Sequence, residues 1–504
     1  MEKLREQIPS GQDVAIPPFM RDWLAAPKLH YIDGHFVAAE KSFQTVHPGD
    51  ASVLATVSRG GKAEVDAAVA AAKRSFERGE WRRRSLDDRC AALERLSTLI
   101  LEHQPALALL ESLDTGKPLR ESFDGDIPRA ARNFKFFAEF SRQEGSSCYP
   151  QGHTFHYSQR EPLGVVALIT PWNLPLYLES WKLAPALAMG NSVVLKPSEW
   201  TPLTAAYLVE FLLPRVDIPP GVINMVHGFG DGEAGEFLVS HPDVSAISFT
   251  GETKTGRAIM RSASVGPTRL SFEMGGKGAS VVFADADLDK AAEVCARAAF
   301  RNQGQICLAS PRLFVEASCF EAFTEKVAAH AKAIRLGNPL NYQTEMGALI
   351  GEAHFEKVKS YLALLKDPAR IWTGGKTRSP GYFVEPTVVS GLALDHAVSC
   401  EEIFGPLVSV YPFQSESEVV DAVNATPYGL SASVWTRDLD RAHRVSDRLR
   451  CGLVWVNAWF LRDLRVPFGG QKRSGLGREG GAFSLDFYSE WKSVSIQYSE
   501  GEEP

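Results

Sequence analysis

The chain lacks any apolar run of the roughly 18–20 residues needed to span a bilayer. Charge or proline repeatedly interrupts Met1–Pro27, so no secretory leader is expected there. It also lacks a long basic stripe, and its net charge is −7. Both argue against a nucleic-acid partner, and the short run Arg82-Arg83-Arg84 reads as a solvated face. Cysteine is scarce: seven residues, at 90, 148, 295, 307, 319, 400 and 451, odd in number, scattered and without a CxxC pair. That excludes a disulfide framework and a thiolate metal site, and it fits the reduced thiols of a cytoplasmic protein. No metal is expected. Internal repeats and low-complexity tracts are missing too. What remains is a chain of 504 residues with ordinary apolar and charged content, long enough for two or three cores.

Residues 1–27 read as a loosely attached N-terminal arm. Tyr31–Val37 has the pattern of a hairpin turning at Asp33-Gly34. Lys62–Phe76 and Arg89–His103 have helical periodicity, the second limited by Pro105. Asp126-Ile127-Pro128 opens a further helix with proline in its first turn. From Pro162 the pattern alternates. Strands are predicted at 163–169, 192–195, 222–226 and 244–249, and helices at 174–189, 204–213 and 233–239, with Pro185 expected to kink or split the first. Such a series gives a parallel, doubly wound α/β sheet. A second α/β segment follows from about Gly275 to Gly475, with strands at 280–283, 313–315, 407–411, 432–435 and 453–456. The alternating tail Lys492–Tyr498 suits a terminal strand that pairs with something, another subunit included.

Two strand–glycine–helix junctions suit a dinucleotide. Gly228-Phe229-Gly230 allows close backbone approach before a helix N-terminus, though its spacing also fits an ordinary tight turn. Phe249-Thr250-Gly251-Glu252 is the second junction. Glu199, in Lys196-Pro197-Ser198-Glu199, follows the second strand of the series. It either binds both adenosine ribose hydroxyls, favouring NAD over NADP, or serves as a first-turn helix carboxylate. Cys307 follows a helix and a glycine-containing bend in Arg301-Asn302-Gln303-Gly304-Gln305-Ile306-Cys307. A thiolate there is a candidate nucleophile. Glu273, before two glycines, is the candidate base for water. Asn173 lies at the carboxyl end of the first strand, where such sheets bind ligands. Its amide and the Cys307 N–H could hold an oxyanion, and a plain helix cap is the alternative for Asn173.

Pro171-Trp172-Asn173-Leu174-Pro175, Lys196-Pro197-Ser198-Glu199, Phe249-Thr250-Gly251, Glu273-Met274-Gly275-Gly276-Lys277, Gly304-Gln305-Ile306-Cys307, Glu401-Glu402-Ile403-Phe404-Gly405-Pro406 and Pro467-Phe468-Gly469-Gly470 occur here in this order. In order and spacing they resemble the NAD(P)-dependent aldehyde dehydrogenases over roughly residues 28–498. Met274 replaces the familiar leucine, a volume-conserving change. The resemblance implies a Rossmann-like NAD domain (28–142 and 161–274), an α/β catalytic domain (275–478), and bridging, oligomerising elements (143–160 and 479–504) in a homodimer or homotetramer. It also implies a Cys307 thioester route from aldehyde to acid, with Glu490 as a proton relay and Glu402 and Phe404 positioning the nicotinamide. Thr170, Trp172, Lys196, Ser198, Glu199, Gly228, Gly230, Phe249, Thr250, Gly251 and Glu252 are the further NAD-contact candidates.

The loop Asn457–Pro467 contains Arg462 and Arg465, and arginine binds carboxylate in bidentate fashion. With Arg129 upstream, this pattern resembles the branch acting on 2-hydroxymuconic and 2-aminomuconic semialdehydes, which implies that Arg129 and Arg462 clamp a distal carboxylate. Trp181 and Trp459 complete the expected substrate contacts. The alternatives for the two arginines are a surface pair of Arg462 with Asp463 and a solvated Arg129. A carboxymethyl-hydroxymuconic, betaine or broad aldehyde dehydrogenase, a coenzyme A-acylating variant and a catalytically inactive scaffold remain as competing readings.

Overall fold

Five parallel strands form the centre of the first sheet, and their order explains where a ligand can lie. In the computed structural model, which describes residues 2–264 and 266–498, the strands run Ile223–Met225, Ser192–Lys196, Val165–Ile169, Val244–Thr250 and Arg269–Glu273 across the sheet. Chain order therefore reverses between Val165–Ile169 and Val244–Thr250, which is the switch point where open α/β sheets bind ligands. Ile169 is in register with both Lys196 and Phe249, so the carboxyl ends of these three strands are level. The hairpin His30–Val37 closes one edge antiparallel to Ile223–Met225. Gly475–Leu476 closes the other, antiparallel to Arg269–Glu273.

The second sheet has seven strands, in the order 370–373, 387–390, 407–413, 312–316, 279–282, 431–435 and 453–456. All neighbours are parallel except the first pair. The strands at 370–373 and 387–390 were not expected from the sequence, whose signals there are short and broken by glycine and proline. A third sheet joins Cys148–Gln151, Thr154–Pro162 and Ser489–Gln497. The tail strand thus pairs within its own chain, with residues 154–162, and its outer edge stays open. Residues 499–504 of the expected bridging segment lie outside the described residues.

Two expectations are corrected. The N-terminal arm is not loosely attached: Leu4, Ile8, Val14, Met20, Trp23 and Leu24 are buried in the first core, and Trp23 Nε1 donates to Glu210 at 2.7 Å. Its apolar residues carry it inward despite the intervening charges. Pro185 does not split its helix, which runs unbroken over Pro175–Ala188. Nearly every residue of that helix is buried, so packing outweighs the one backbone hydrogen bond that proline forfeits.

Candidate active site

Cys307 is positioned by a loop under backbone strain. The helix Leu288–Phe300 ends in a turn where Asn302 (φ 48°) and Gln303 (φ 57°) occupy the left-handed region. Non-glycine residues sit there only when their surroundings hold them. Here Asn302 Nδ2 donates to the Asn173 carbonyl at 3.1 Å, and Gln303 Nε2 donates to the Ala348 carbonyl at 2.9 Å. Gly304 (φ 71°) follows, and a Cβ on it would lie 2.3 Å from the Gly405 carbonyl oxygen. The loop thus packs directly on the segment carrying Glu402 and Phe404.

The structure gathers the three predicted chemical groups around this loop. Asn173 Nδ2 donates one hydrogen bond to the Gln305 carbonyl at 2.8 Å, leaving its second N–H available. The backbone at Gly276 lies so close that a Cβ there would be 2.9 Å from the Cys307 carbonyl. Glu273 ends the strand leading into it, and its Oε1 is buried without a hydrogen-bond partner. Burial pushes the Cys307 thiol up to about 12, helped by the negative charges of Glu273 and Glu402. Burial also raises the Glu273 carboxyl well above its ordinary range, followed by the charge of Glu479, while Lys182, Arg462 and Arg478 oppose the shift. Burial and neighbouring negative charge therefore favour the protonated forms of both the partly exposed sulfur and the buried carboxyl.

Glu479 and Lys182 are functional candidates that sequence reasoning missed. Lys182 Nζ bonds Glu479 Oε1 and Ser248 Oγ, both at 2.8 Å, in a buried cluster. The available signal was the one cation in the mostly apolar helix 175–188, which also carries Glu179 and Ser180. Glu490 lies elsewhere. It is exposed on the tail strand and pairs with Arg269 at 3.1 Å. Arg269 starts the strand that Glu273 ends, so four residues of extended chain, about 13 Å, separate Glu490's partner from the base. The expected relay role of Glu490 is corrected: the carboxylate whose charge reaches the base is Glu479.

The candidate dinucleotide residues line the carboxyl ends of the first sheet. Lys196 is buried and pairs with the half-exposed Glu199 at 3.5 Å, and burial lowers its pKa. Ser198 Oγ accepts from the Trp200 N–H at 3.2 Å, and the Thr170 N–H donates to the Lys196 carbonyl. Trp172 stacks on Trp200 and meets the Phe404 ring edge-on at 5.3 Å. Phe404 adopts φ 61°, and its carbonyl accepts from His354 Nε2 at 2.7 Å. Glu402 Oε1 accepts from the Gly276 N–H at 2.8 Å, and a Cβ on Gly275 would collide with this carboxylate. Burial raises the Glu402 carboxyl to about 7.

The two glycine junctions differ. After Gly228 and Gly230, the N–H groups of Gly235 and Glu236 are spent on the carbonyls of Phe229 and Gly230, so the expected phosphate site at that helix start is not formed by them. A Cβ on Gly230 would meet nothing, so one side of this residue is open while its other side packs on Gly235. After Phe249, Thr250 and Gly251, the exposed Glu252 occupies the N-cap position of the longer helix Thr253–Ala263 without a side-chain cap, and the first-turn N–H groups lack intrahelical partners. A dinucleotide fits this rim: an open glycine backbone, level strand ends, a carboxylate at 199, and an aromatic wall from Trp172 and Phe404.

A cavity of about 310 Å³ adjoins the cysteine loop and includes Arg129, Arg132, Tyr177, Arg301, Ile306 and Phe460 in its lining. The Arg462 guanidinium lies between the rings of Trp181 (4.2 Å) and Phe468 (3.9 Å), and its Nη1 donates to the Tyr177 hydroxyl at 3.4 Å. Arg129 lies over the Tyr177 ring at 5.3 Å. Among the described residues, Arg129 Nη2 and Arg462 Nε and Nη2 are buried with no hydrogen-bond acceptor. Asp463 is taken by Arg465 at 2.6 Å, not by Arg462. Trp181 orients Arg462, while Trp459 braces the loop by donating Nε1 to the Leu308 carbonyl at 2.9 Å. Its neighbour Phe460, not Trp459, reaches the cavity.

Comparison with known proteins agrees with this geometry. The pattern of the aldehyde dehydrogenase family matches residues 36–494. The chain is 48% identical over 480 residues to a 2-aminomuconic 6-semialdehyde dehydrogenase of a Pseudomonas species, covering 93% of this chain and 97% of the relative. It is 47% identical over 482 residues to the 2-hydroxymuconic semialdehyde dehydrogenase of Pseudomonas sp. (strain CF600), covering 93% and 99%. The structure of an aldehyde dehydrogenase from Bacillus cereus in complex with NAD+ superposes with a TM-score of 0.94 at 38% identity, covering 97% of this chain and 100% of that one. With Cys307, Asn173 and Glu273 gathered at the switch-point end of a doubly wound sheet, the chain belongs to the aldehyde dehydrogenase family.

Proposed function

We propose that the protein uses NAD to oxidise an aldehyde that carries a distal carboxylate, a muconic-type semialdehyde such as 2-hydroxymuconic or 2-aminomuconic 6-semialdehyde, to the dicarboxylic acid. The observation that carries this reading is the pair of arginines, Arg129 and Arg462, which both contact Tyr177 near the cysteine loop and, among the described residues, leave three buried guanidinium nitrogens without an acceptor. A buried donor without an acceptor is costly, and a carboxylate removes that cost at both arginines together. The names of the relatives above support the same substrate class. A cationic aldehyde such as betaine aldehyde would meet like charge at both positions.

The chemistry follows from the same side chains. The Cys307 sulfur, once deprotonated, attacks the aldehyde carbon, and the free N–H of the Asn173 amide together with the Cys307 backbone N–H stabilises the oxygen that becomes negative. When bound, NAD supplies the hydride acceptor. Glu273 takes a proton from water, which then breaks the Cys307 thioester and frees the acid. Glu479 and Lys182 hold the charge balance of that proton movement. The open edge of the strand Ser489–Gln497 supports a homo-oligomer. The free thiols among the described residues suit the reducing cytoplasm.

The test is NADH formation, followed by absorbance, from 2-hydroxymuconic semialdehyde and from simple aliphatic aldehydes. The semialdehyde is expected to be preferred. Arg129→Ala and Arg462→Ala should each lower kcat/KM for it by the equivalent of about 2–5 kcal/mol and spare neutral aldehydes. Unchanged kcat/KM in both variants would refute the carboxylate clamp.

A further inference from the structure

We propose that the Tyr177 hydroxyl is a third recognition group, donating its proton to the substrate carboxylate that the two arginines hold. This assignment rests on the carboxylate-bearing substrate proposed above and adds to it a neutral donor of fixed position.

Tyr177 stands where the two guanidinium groups meet. Its hydroxyl oxygen accepts from Arg462 Nη1 at 3.4 Å, and its ring lies under Arg129 at 5.3 Å. Among the described residues, no acceptor takes the hydroxyl's own proton. A phenol that accepts from a cation is polarised so that its O–H becomes a better donor. The groups around it on the cavity wall include Arg129, Arg132 and Arg301. Glu121 on the same wall is paired with Arg301 at 3.5 Å, and Asp126 is held by Lys117 at 2.7 Å. With these carboxylates engaged, the corner keeps a surplus of positive charge that suits an anionic acceptor brought by the ligand.

Asn133 fixes the spacing of the recognition groups. Its Oδ1 accepts from Arg129 Nε at 3.0 Å, while its Nδ2 donates to the Tyr177 carbonyl at 3.0 Å and to Ser180 Oγ at 3.0 Å. One fully buried amide thus ties the helix Ile127–Ser141, which bears Arg129, to the helix Pro175–Ala188, which bears Tyr177. A carboxylate has about four lone-pair directions. Two guanidinium groups and one phenol can occupy three of them from different sides, which defines the orientation of the anion as well as its charge.

Tyr177→Phe keeps the ring, its packing and its contact with Arg129, and removes only the hydroxyl. The measurement is kcat/KM for 2-hydroxymuconic semialdehyde and for hexanal, in wild type, Tyr177→Phe, Arg462→Ala and the double variant. A hydrogen bond to a charged group corresponds to roughly a ten- to hundredfold change. The expected result is a loss of that size for the semialdehyde in Tyr177→Phe, a change of less than about twofold for hexanal, and a further loss when Tyr177→Phe is added to Arg462→Ala. If Tyr177→Phe matches wild type on the semialdehyde, the hydroxyl does not donate to substrate. If the loss vanishes in the Arg462→Ala background, Tyr177 acts only by holding that arginine, and direct donation is likewise overturned. Wild-type enzyme that does not prefer the semialdehyde to hexanal would instead remove the underlying substrate reading, a distinct outcome.

Discussion

Glu273 must be ionised to act on water, yet burial and the neighbouring Glu479 charge both favour its protonated form. The same holds for Cys307, whose thiol is raised to about 12. Reactive forms of both groups are populated by raising the pH, so turnover should climb toward the alkaline side. Glu479→Gln removes the negative charge, which lowers the Glu273 pKa. The acid limb of the kcat profile should therefore move to lower pH, and a limb that stays in place would separate Glu479 from the base. At this scale the sequence was informative about position where a motif is present: Cys307, Glu273 and Asn173 are brought around one loop. It misled where a role depends on which of two distant carboxylates folds toward the base. Glu479 and Glu490 are both acidic residues late in the chain, and only the folded path separates them, placing one beside Lys182 and the other on the tail strand beside Arg269. Tyr177 was illegible for a related reason: in sequence it is one apolar-face residue of a buried helix, and only folding brings Arg129 and Arg462 around it.

The loop from Arg301 to Cys307 is the element with least freedom to change. Gly304 combines a left-handed backbone with close approach to the Gly405 carbonyl. Gly304→Ala meets both penalties, and the sum should be at least about 2 kcal/mol. A lower Tm together with reduced activity is expected, since the displaced segment carries Glu402 and Phe404. Wild-type Tm and kcat in this variant would show that the contact is easily relaxed. Periodicity located several long helices, Lys62–Arg78, Leu86–Glu102, Pro175–Ala188 and Leu288–Phe300 among them, and most of the parallel strands of both sheets, because each is a continuous run with one dominant period. It did not locate the strands Arg269–Glu273, 370–373 and 387–390, which are four or five residues each, and it left open whether Pro185 would kink or split a helix that in fact runs unbroken. In both cases long-range packing overrules the local signal.

The whole molecule joins its two large sheets through Gly475–Leu476, a short strand from the second half of the chain that pairs with Phe272 and Glu273 in the first. Ligand bound at the first sheet's rim stabilises the native state by mass action, by about 2.7 kcal/mol at a hundredfold excess over Kd. NAD should therefore raise Tm. NADP should raise it far less, because the Glu199 carboxylate opposes a 2′-phosphate, and Glu199→Gln should narrow the difference. Equal shifts with both nucleotides would remove Glu199 from the ribose. The overall architecture was readable because alternating strands and helices admit few topologies. The closing of one half's sheet by the other's strand was not, since two residues carry no pattern.

The cavity's cationic wall has a separate consequence. Arg129 and Tyr177 project from helices and Arg462 from a loop, whereas the nucleophile and base are anchored by strand ends and the strained turn. On the proposed reading, selectivity and bond-making are thus hung on different parts of the scaffold. A descendant lineage can retune which aldehyde it admits by exchanging a few wall residues, with its reaction centre left intact.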